Sequence, residues 1–448
     1  MYFLYSLITA AGLVLLAPYF LARGLRRDKN LRNLPERLGL RFPPELARAD
    51  AHSQREIWLH AVSVGEVLAA LPLARSLKER YPERRLIIST TTETGQALAR
   101  ERMKFADAVF YFPLDVPGAM RRAMRAVRPV LIVVMETEIW PNFLCAARQY
   151  GAPVAYVNGR ISDRSFRRFR RWAVPSFRRR VFADAGLYLM QSQGDAKRAV
   201  ALGAPRERVV VTGNLKYDLS PAGGNALVTW LESEMERSSR GPLLIAGSVM
   251  AGEERAVLEA LALVAEKWPE ALLLLAPRRP ERFDEAGGMI EQAGWRVIRR
   301  SALSLNDGAS AGILRRKPGE RRGVLLLDSL GELAAVYRLA DGVFVGGSLV
   351  PAGGHNPLEP AAFGKAPVFG PSMENFRDIA SEFLRAGAAV EARSGAELGA
   401  AWVAMLGNDQ RRAEMGREAR ALVERHRGAT AATLEQLAGL LKAPQAVR

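Results

Sequence analysis

Residues 342–376 read GVFVGGSLVPAGGHNPLEPAAFGKAPVFGPSMENF, an apolar run followed by a loop rich in glycine and proline. The run predicts a buried parallel strand, and a short helix is predicted to begin near Asn356. Such a loop lets backbone N–H groups approach an anion, and a helix N-terminus adds partial positive charge. The same residues also suit a plain helix start, with Asn356 as N-cap and Glu359 in a capping box. The stretch therefore predicts a strand, loop and helix unit that either binds a phosphate or only starts a helix.

Apolar strands alternate with helical segments over most of the chain. The order strand, loop, helix repeats from residue 57 to about residue 211 and restarts at residue 243. Continuous apolar strands that alternate with helices indicate parallel sheets covered by helices on both faces. A break at residues 218–225, DLSPAGGN, separates the two series. The sequence therefore predicts an α/β protein with two doubly wound domains that face a cleft.

The composition is that of a folded protein with a strongly basic balance. The chain has 448 residues, with 64 Lys and Arg against 47 Asp and Glu, and a net charge of +17. This excess indicates an anionic partner, either nucleic acid or an acidic membrane and its lipids. Cys145 is the only cysteine, which excludes an internal disulfide and favours a reducing compartment. We find no metal-ligand spacing, P-loop or G-x-G-x-x-G motif, so a structural metal, a nucleotide triphosphatase and a dehydrogenase are not expected.

The N-terminal segment is apolar and is followed by basic residues. Residues 1–22 contain no charged side chain, and residues 23–41 contain seven basic and two acidic ones. About 20 apolar residues are enough for a helix to cross a bilayer, and basic residues after the span place the rest of the chain in the cytoplasm. The segment predicts an uncleaved transmembrane anchor, with a helix lying in the membrane interface as the alternative.

Residues 165–182 interleave arginines with aromatic side chains and contain no acid. The set comprises Arg167, Arg168, Arg170, Arg171, Arg178, Arg179, Arg180, Phe166, Phe169, Trp172, Phe177 and Phe182. Such a pattern suits single-stranded nucleic acid or an anionic membrane surface, and a solvated helix face is the simplest alternative. The apolar N-terminus favours the membrane.

Carboxylates follow two of the predicted strands. Glu66 ends the motif HAVSVGE at residues 60–66, where it is either a helix-start acid or a general base. Glu136 and Glu138 lie in METEIWP at residues 135–141. If the backbone stays extended there, both side chains lie on one face and suit the binding of sugar hydroxyls.

Cations occur at comparable positions after other strands. Arg160 follows Asn158-Gly159, Lys216 ends the motif TGNLK, and Arg278 follows Pro277. Each is by itself an ordinary solvated side chain. Together with Ser248, before a predicted helix start, they suit a ligand that carries more than one negative charge.

These motifs together resemble the 3-deoxy-D-manno-octulosonic acid (Kdo) transferases of lipopolysaccharide assembly. The similar segments cover nearly the whole chain: the N-terminal helix and residues 60–66, 136–143, 158–162, 212–218, 276–283 and 346–376. The resemblance implies a GT-B fold of two Rossmann-like domains with an N-terminal membrane-anchor helix. It also implies transfer of Kdo from CMP-Kdo to the lipid A precursor, without a metal or cofactor, at the cytoplasmic face of the inner membrane. The implied partners are these two substrates and the anionic membrane surface, with no nucleic acid.

The resemblance also assigns roles to single residues. Glu66 matches the base that deprotonates the acceptor hydroxyl, and the acceptor side comprises Glu136, Glu138 and Arg160. The donor side comprises Lys216, Ser248, Pro277, Arg278, Gly354, His355, Asn356 and Glu359. The alternatives are another GT-B nucleotide-sugar enzyme with a lipid acceptor, or a membrane-anchored nucleic-acid-binding protein. The carboxylates after the strands argue against the latter.

The domain boundaries expected from these patterns divide the chain into six segments. They are a transmembrane anchor (1–22), a basic juxtamembrane segment (23–55), an acceptor-binding domain (56–217), a linker (218–240), a CMP-sugar-binding domain (241–424) and a C-terminal helical tail (425–448).

Overall fold

The chain folds into two compact units. The computed structural model describes residues 1–25, 33–47, 56–171, 174–218, 223–237, 241–305, 309–315 and 323–442. Unit 1 comprises Met1–Asp218 and His426–Arg448, and unit 2 comprises Leu219–Arg425. Outside the described residues lie Trp172 and parts of the predicted juxtamembrane segment, linker and tail, namely residues 26–32, 48–55, 219–222, 238–240 and 443–448.

Within the described ranges, unit 1 is built on a sheet of seven parallel strands in the order β3-β2-β1-β4-β5-β6-β7. The strands are β1 (Glu56–His60), β2 (Leu86–Thr90), β3 (Ala108–Tyr111), β4 (Pro129–Met135), β5 (Val154–Gly159), β6 (Leu187–Met190) and β7 (Val209–Val211). The helices before the chain leaves this unit are α1 (Tyr2–Leu25), α2 (Leu34–Arg37), α3 (Pro44–Ala47), α4 (Val64–Arg80), α5 (Glu93–Arg102), α6 (Pro117–Val127), α7 (Pro141–Tyr150), α8 (Asp163–Arg170), α9 (Pro175–Ala183) and α10 (Gln193–Leu202).

Both faces of the unit 1 sheet are buried. Successive strand residues point to opposite faces, so Trp58 and Ile132 enter one core whereas Leu59 and Val133 enter the other. Strands that are buried on both sides carry apolar residues at most positions, which explains the nearly continuous apolar runs in the sequence. The prediction of parallel sheets covered by helices is confirmed.

Helix α1 is held to unit 1 through the tyrosines of its first two turns. The Tyr2 hydroxyl donates to Asp184 Oδ2 (2.5 Å), and the Tyr5 hydroxyl donates to Asp115 Oδ2 (3.0 Å). Both tyrosine rings also contact Phe177, with centroid distances of 5.3 and 5.8 Å. The start of α1 is therefore part of the surface of unit 1.

The transmembrane anchor predicted over residues 1–22 is not supported. In the part of the chain that the structure describes, no helix combines the length and the apolarity that crossing a membrane requires. In addition, the first two turns of α1 hydrogen-bond to acidic side chains of unit 1.

Asp115 also starts helix α7. The N-cap residue, Trp140, provides no side-chain acceptor, so the first N–H groups of α7 need another partner. Asp115 supplies it, because the Asn142 N–H donates to Oδ2 (3.2 Å) and the Phe143 N–H donates to Oδ1 (2.8 Å). One half-buried carboxylate thus joins α1 to α7.

Among its described residues, unit 2 also contains seven parallel strands, in the order β10-β11-β9-β8-β12-β13-β14. The strands are β8 (Leu243–Val249), β9 (Leu272–Pro277), β10 (Val297–Arg299), β11 (Val324–Leu326), β12 (Gly342–Val345), β13 (Pro367–Phe369) and β14 (Val390–Glu391). The helices are α11 (Ala226–Arg237), α12 (Glu254–Lys267), α13 (Phe283–Gln292), α14 (Leu333–Val336), α15 (Leu358–Ala361), α16 (Arg377–Arg385), α17 (Gly395–Leu406) and α18 (Asp409–Arg425). The last helix of the chain is α19 (Ala429–Lys442), in unit 1.

The structure adds detail to two segments of the predicted domain division. The predicted linker contains α11, because Leu227, Trp230 and Leu231 bury their side chains in unit 2. The predicted C-terminal tail contains α19, which packs on α4, and Leu437 is fully buried in the core of unit 1. The chain therefore leaves unit 1 after Asp218 and returns to it.

The substitution Asp115→Ala is expected to destabilise unit 1 by about 2 kcal/mol, because it leaves buried donors of α7 without an acceptor. The measurement is differential scanning calorimetry, in which the transition of unit 1 should shift down by about 4–8 °C. Asp163→Ala is the control, since that exposed carboxylate pairs with Arg198 on the surface and its loss should cost less than about 1 kcal/mol. Equal shifts in the two variants would contradict the capping role.

Candidate functional site

The order of the strands reverses at one place in each sheet. β1 and β4 are neighbours in unit 1, and β8 and β12 are neighbours in unit 2. At such a reversal the following loops turn to opposite faces of the sheet, which leaves a crevice at the carboxyl ends of the two strands. Predicted site residues follow these strands: Glu66 after β1, Glu136 after β4, Ser248 at the end of β8 and His355 after β12. The candidate site residues therefore gather at the reversal point of each sheet.

Glu66 lies in the first turn of α4, after the N-cap residue Ser63. Its carboxylate accepts hydrogen bonds from the Val62 N–H (2.8 Å) and the Ser63 hydroxyl (3.0 Å), and its own N–H donates to Ser63 Oγ (3.5 Å). These contacts form a capping box, so Glu66 does start the helix. The side chain is 8% exposed, which leaves a small opening to solvent. Glu66 thus combines a structural role with a position at the edge of the sheet.

Three carboxylates of unit 1 influence one another. Burial, together with the charge of Glu136, raises the pKa of Glu66 to about 7, although the bonds from Val62 and Ser63 oppose the shift. Burial, followed by the charge of Glu136, also raises the pKa of Glu138. Among the described residues, no group of three or more His, Cys, Asp or Glu is arranged to hold a metal ion. The cluster is therefore an acidic site with one carboxyl poised near neutral pH.

Three residues beside the two reversal points adopt a left-handed backbone without being glycine. The angle φ is +56° at Glu136, +54° at Asn158 and +57° at Ser248. Backbone in this region costs about 1–3 kcal/mol for ordinary residues and is concentrated at functional sites. The chain therefore turns directly after Met135, and the extended geometry assumed for Glu136 and Glu138 is wrong.

The loops after β5 and β7 carry the predicted cations of unit 1. The Arg160 N–H donates to Thr137 Oγ1 (3.0 Å), which ties Arg160 to the loop of the acidic cluster. Asn158 Oδ1 accepts from the Leu215 N–H (3.0 Å), so the end of β5 holds the segment of Lys216. Lys216 belongs to unit 1, whereas the other residues predicted on the donor side belong to unit 2.

Four predicted donor-side residues of unit 2 lie close together. Burial, followed by the charge of Arg278, lowers the pKa of His355 to about 4. Burial raises the pKa of Glu359, whereas its hydrogen bond with Asn356 and the charge of Arg278 lower it. The His355 Nε2 atom is buried and has no hydrogen-bond partner in the part of the chain that the structure describes. The structure thus brings a cation, a neutral imidazole, an amide and a carboxyl into one site.

The remaining predicted residues of unit 2 shape the backbone around this group. Ser248 lies at an irregularity of β8, and Val249 pairs with Pro277 at the end of β9. Gly354 has φ of +73°, and its N–H donates to Gly347 O (2.7 Å). These residues are therefore part of the same edge of the unit 2 sheet.

The backbone N–H groups of the glycine-rich loop already have an acceptor. The Gly347 N–H donates to Glu253 Oε2 (2.7 Å), and the Ser348 and Leu349 N–H groups donate to Glu253 Oε1 (2.9 and 2.8 Å). The loop is thus an anion-binding arrangement, as predicted, but its anion is a carboxylate of the chain itself. A phosphate bound to these three N–H groups is not compatible with the structure.

The helix after this loop is too short to add a strong dipole. α15 has four residues, and its N-cap is Pro357 rather than Asn356. Asn356 Oδ1 accepts from the Leu358 N–H (3.1 Å), and Asn356 Nδ2 lies 3.4 Å from Glu359 Oε1. Asn356 and Glu359 therefore contact each other at the start of α15. Because α15 is so short, we no longer expect its dipole to contribute to anion binding.

Sequence reasoning missed three residues of these sites. Arg168 lies near Glu138, and its positive charge opposes the rise in the pKa of Glu138. Burial and the charge of Glu359 raise the pKa of Tyr337. Glu253 holds the glycine-rich loop. In the sequence, Arg168 is one of seven arginines in residues 165–182, and Glu253 is an acidic residue at a predicted helix start. Neither pattern distinguishes these residues from solvated side chains.

The pKa of Glu66 is expected to fall when Glu136 is replaced by glutamine, because the substitution removes a neighbouring negative charge. The measurement is a pH titration of ¹³C-labelled glutamate carboxyls by NMR, with Glu66→Gln to assign the signal. The control is Glu101→Gln, on the exposed face of α5, which should leave the titration unchanged. A Glu66 titration midpoint at the ordinary value of a glutamate would contradict the analysis.

Comparison with known proteins relates the chain to one enzyme family. The sequence profile described as 3-Deoxy-D-manno-octulosonic-acid transferase (kdotransferase) matches residues 32–219. The chain is 37% identical over 410 residues to the 3-deoxy-D-manno-octulosonic acid transferase of Bordetella pertussis, covering 89% of this chain and 90% of the relative. It is 36% identical over 391 residues to the transferase of the same name from Haemophilus influenzae, covering 86% of each chain.

Solved structures show a likeness of fold. A UDP-N-acetylglucosamine 2-epimerase aligns with a TM-score of 0.55 at 12% identity, over 86% of this chain and 95% of that one. The UDP-GlcNAc 2-epimerase of Neisseria meningitidis, bound to UDP-GlcNAc, aligns with a TM-score of 0.54 at 12% identity, over 87% and 100%. At these identities the likeness supports only the GT-B-like pair of parallel-sheet domains. The two curated transferases match over most of both chains, so the protein belongs to the 3-deoxy-D-manno-octulosonic acid (Kdo) transferase family of glycosyltransferases.

Proposed function

We propose that the protein transfers Kdo from CMP-Kdo to the lipid A precursor, without a metal ion. The observation that carries this proposal is Glu66, a nearly buried carboxyl whose pKa of about 7 suits a general base at neutral pH. Membership of the Kdo transferase family supports the reaction class. The proposal extends this support to the donor, the acceptor and the residues that act on them.

In the proposed reaction, Glu66 takes the proton of the acceptor hydroxyl. The oxygen then forms a bond to the anomeric carbon of Kdo while the bond from that carbon to the CMP phosphate breaks. Glu66 accepts a proton only when it is ionised, a state that becomes dominant above about pH 7. Glu136 raises the pKa of Glu66 and thereby makes it a stronger base. Glu138 and Arg160 complete the proposed acceptor side.

Unit 2 binds CMP-Kdo in this proposal. Arg278 supplies positive charge for the phosphate and the carboxylate of the donor. His355 is neutral at pH 7 because its pKa is about 4, and its free Nε2 atom offers a hydrogen bond to the donor. The half-buried Glu359 accepts hydrogen bonds from ribose hydroxyls. Cationic side chains thus replace a metal in stabilising the departing phosphate.

The acceptor is an anionic amphiphile, and unit 1 carries surfaces that suit it. Arg164, Arg167 and Arg171 line a depression of about 380 Å³ on the side of α8. On α1, the side chains of Phe3 and Ile8 are exposed, Phe3 by 80%. Exposed apolar side chains and exposed arginines in one unit are typical of attachment to an anionic membrane surface. We therefore propose that unit 1 binds the cytoplasmic face of the inner membrane and that α1 lies on that surface.

Replacement of Glu66 by glutamine is expected to reduce Kdo transfer at least about 100-fold, because glutamine cannot accept the proton. The assay measures incorporation of labelled Kdo from CMP-Kdo into tetraacyl lipid A precursor, with a chelator present. CMP binding should persist in the variant, and the surface control Glu101→Gln should transfer normally. Absence of transfer by the wild type would reject the proposed function. Normal transfer by Glu66→Gln would move the base to another residue.

Binding to anionic vesicles is expected to weaken about 100-fold in the triple variant Arg164→Gln, Arg167→Gln and Arg171→Gln, because each arginine near an anionic surface contributes about 1 kcal/mol. The measurement is co-sedimentation of the full chain with vesicles that contain an anionic phospholipid. The matched control replaces Arg385, Arg411 and Arg420, which are exposed in unit 2. An equal loss in both triple variants would show that net charge, rather than the α8 surface, drives the binding.

A further inference from the structure

Glu253 precedes α12, and its side chain is completely buried. Its carboxylate accepts four backbone hydrogen bonds. Oε2 accepts from Met250 (2.8 Å) and Gly347 (2.7 Å), and Oε1 accepts from Ser348 (2.9 Å) and Leu349 (2.8 Å). An ionised carboxylate offers about four acceptor sites, so all of its hydrogen-bonding capacity is directed at the backbone.

These bonds join the loops that follow two neighbouring strands. β8 and β12 pair up to Val345 and Gly247, and the next bond runs from the Gly346 N–H to Gly247 O (2.8 Å). After this bond, Glu253 links the two loops that follow β8 and β12. Its carboxylate accepts from the Met250 N–H in one loop and from the Gly347 N–H in the other. Glu253 therefore fixes the reversal point of the unit 2 sheet.

The loop that Glu253 holds in turn carries the proposed donor-binding residues. The Gly354 N–H donates to Gly347 O (2.7 Å), and the His355 N–H donates to Gly346 O (3.1 Å). Gly347 has φ of +70°, and a Cβ atom at this position would lie 2.9 Å from the His355 ring. The place of His355 thus depends on the backbone that Glu253 fixes.

We infer that Glu253 is a positioning residue for donor binding: it acts through the backbone of Gly346–Leu349 to place Gly354 and His355 for contact with a nucleotide-linked sugar. The inference rests on the proposed function, since the donor is the ligand of that site. It assigns a purpose to a buried carboxylate that makes no direct contact with the donor.

Glu254 is a matched control in the next position. Its side chain is also completely buried, accepts a hydrogen bond from the Gly252 N–H (2.9 Å) and pairs with Arg282 (2.7 Å). Glu254 thus contacts the turn before α12 and Arg282, which precedes α13. The glycine-rich loop is held by Glu253. Loss of charge at Glu254 therefore disturbs the start of α12 but leaves the bonds between Glu253 and the glycine-rich loop in place.

The test compares Glu253→Gln and Glu254→Gln in the full chain, by the KM for CMP-Kdo and the KM for the lipid acceptor. The glutamine NH₂ group at 253 faces two backbone N–H groups, so the loop should shift and the KM for CMP-Kdo should rise about tenfold or more. The KM for the acceptor should stay unchanged, and Glu254→Gln should change neither constant. A merely structural role would lower the amount of folded enzyme, and so the apparent kcat, without moving either KM.

An unchanged KM for CMP-Kdo in Glu253→Gln would overturn the inference. If that variant does not fold, Glu253→Asp takes its place, because its shorter side chain keeps the charge but cannot reach both loops. Amide hydrogen exchange of residues 346–356 gives a second readout, which should be faster in the 253 variant than in the 254 variant; equal exchange would overturn the inference. A wild type that binds no CMP-Kdo would reject the proposed function, and the exchange result would still decide whether Glu253 holds the loop.

Discussion

Burial of both faces of each parallel sheet is the constraint on which the rest of the structure depends. Strands buried on both faces carry mostly apolar side chains, so polar groups collect in the loops after the strands. The reversal of strand order then selects one place on that edge, between β1 and β4 in unit 1 and between β8 and β12 in unit 2. The acidic cluster and the proposed donor site occupy these two places.

The two sites use buried carboxylates in opposite ways. Within the described residues, Glu66 accepts hydrogen bonds from Val62 and Ser63 and has Glu136 as a neighbour, so burial raises its pKa and leaves it able to exchange a proton near pH 7. Glu253 receives four backbone hydrogen bonds and has no capacity left for a ligand. The number of donors around the carboxylate thus separates Glu66, the proposed base, from Glu253, which holds the backbone, although both follow a sheet strand and lie at a helix start.

The sequence was sufficient for the parallel sheets, because continuous apolar strands are local signals. The first series of strands ends with β7 at Val211 and the second begins with β8 at Leu243, as the pattern predicts. β13 was hidden because its three residues lie between bends rich in glycine and proline. The left-handed backbone of Glu136 and Ser248 has no local signal, since neither residue type favours it. The contact of Glu253 with Gly347 spans 94 positions of the chain, beyond the reach of any motif.

The return of the chain to unit 1 has a consequence for the order in which the protein becomes structured. α19 completes the core of unit 1, and Asp218 accepts hydrogen bonds from the N–H groups of Gly428 and Thr430 at the point of return. Domains usually fold from the N-terminus as they leave the ribosome. Here the first unit to be synthesised lacks part of its core until residue 442 has been translated, so unit 2 can finish folding before it. During synthesis the apolar surface of α4 that α19 later covers therefore stays exposed to solvent.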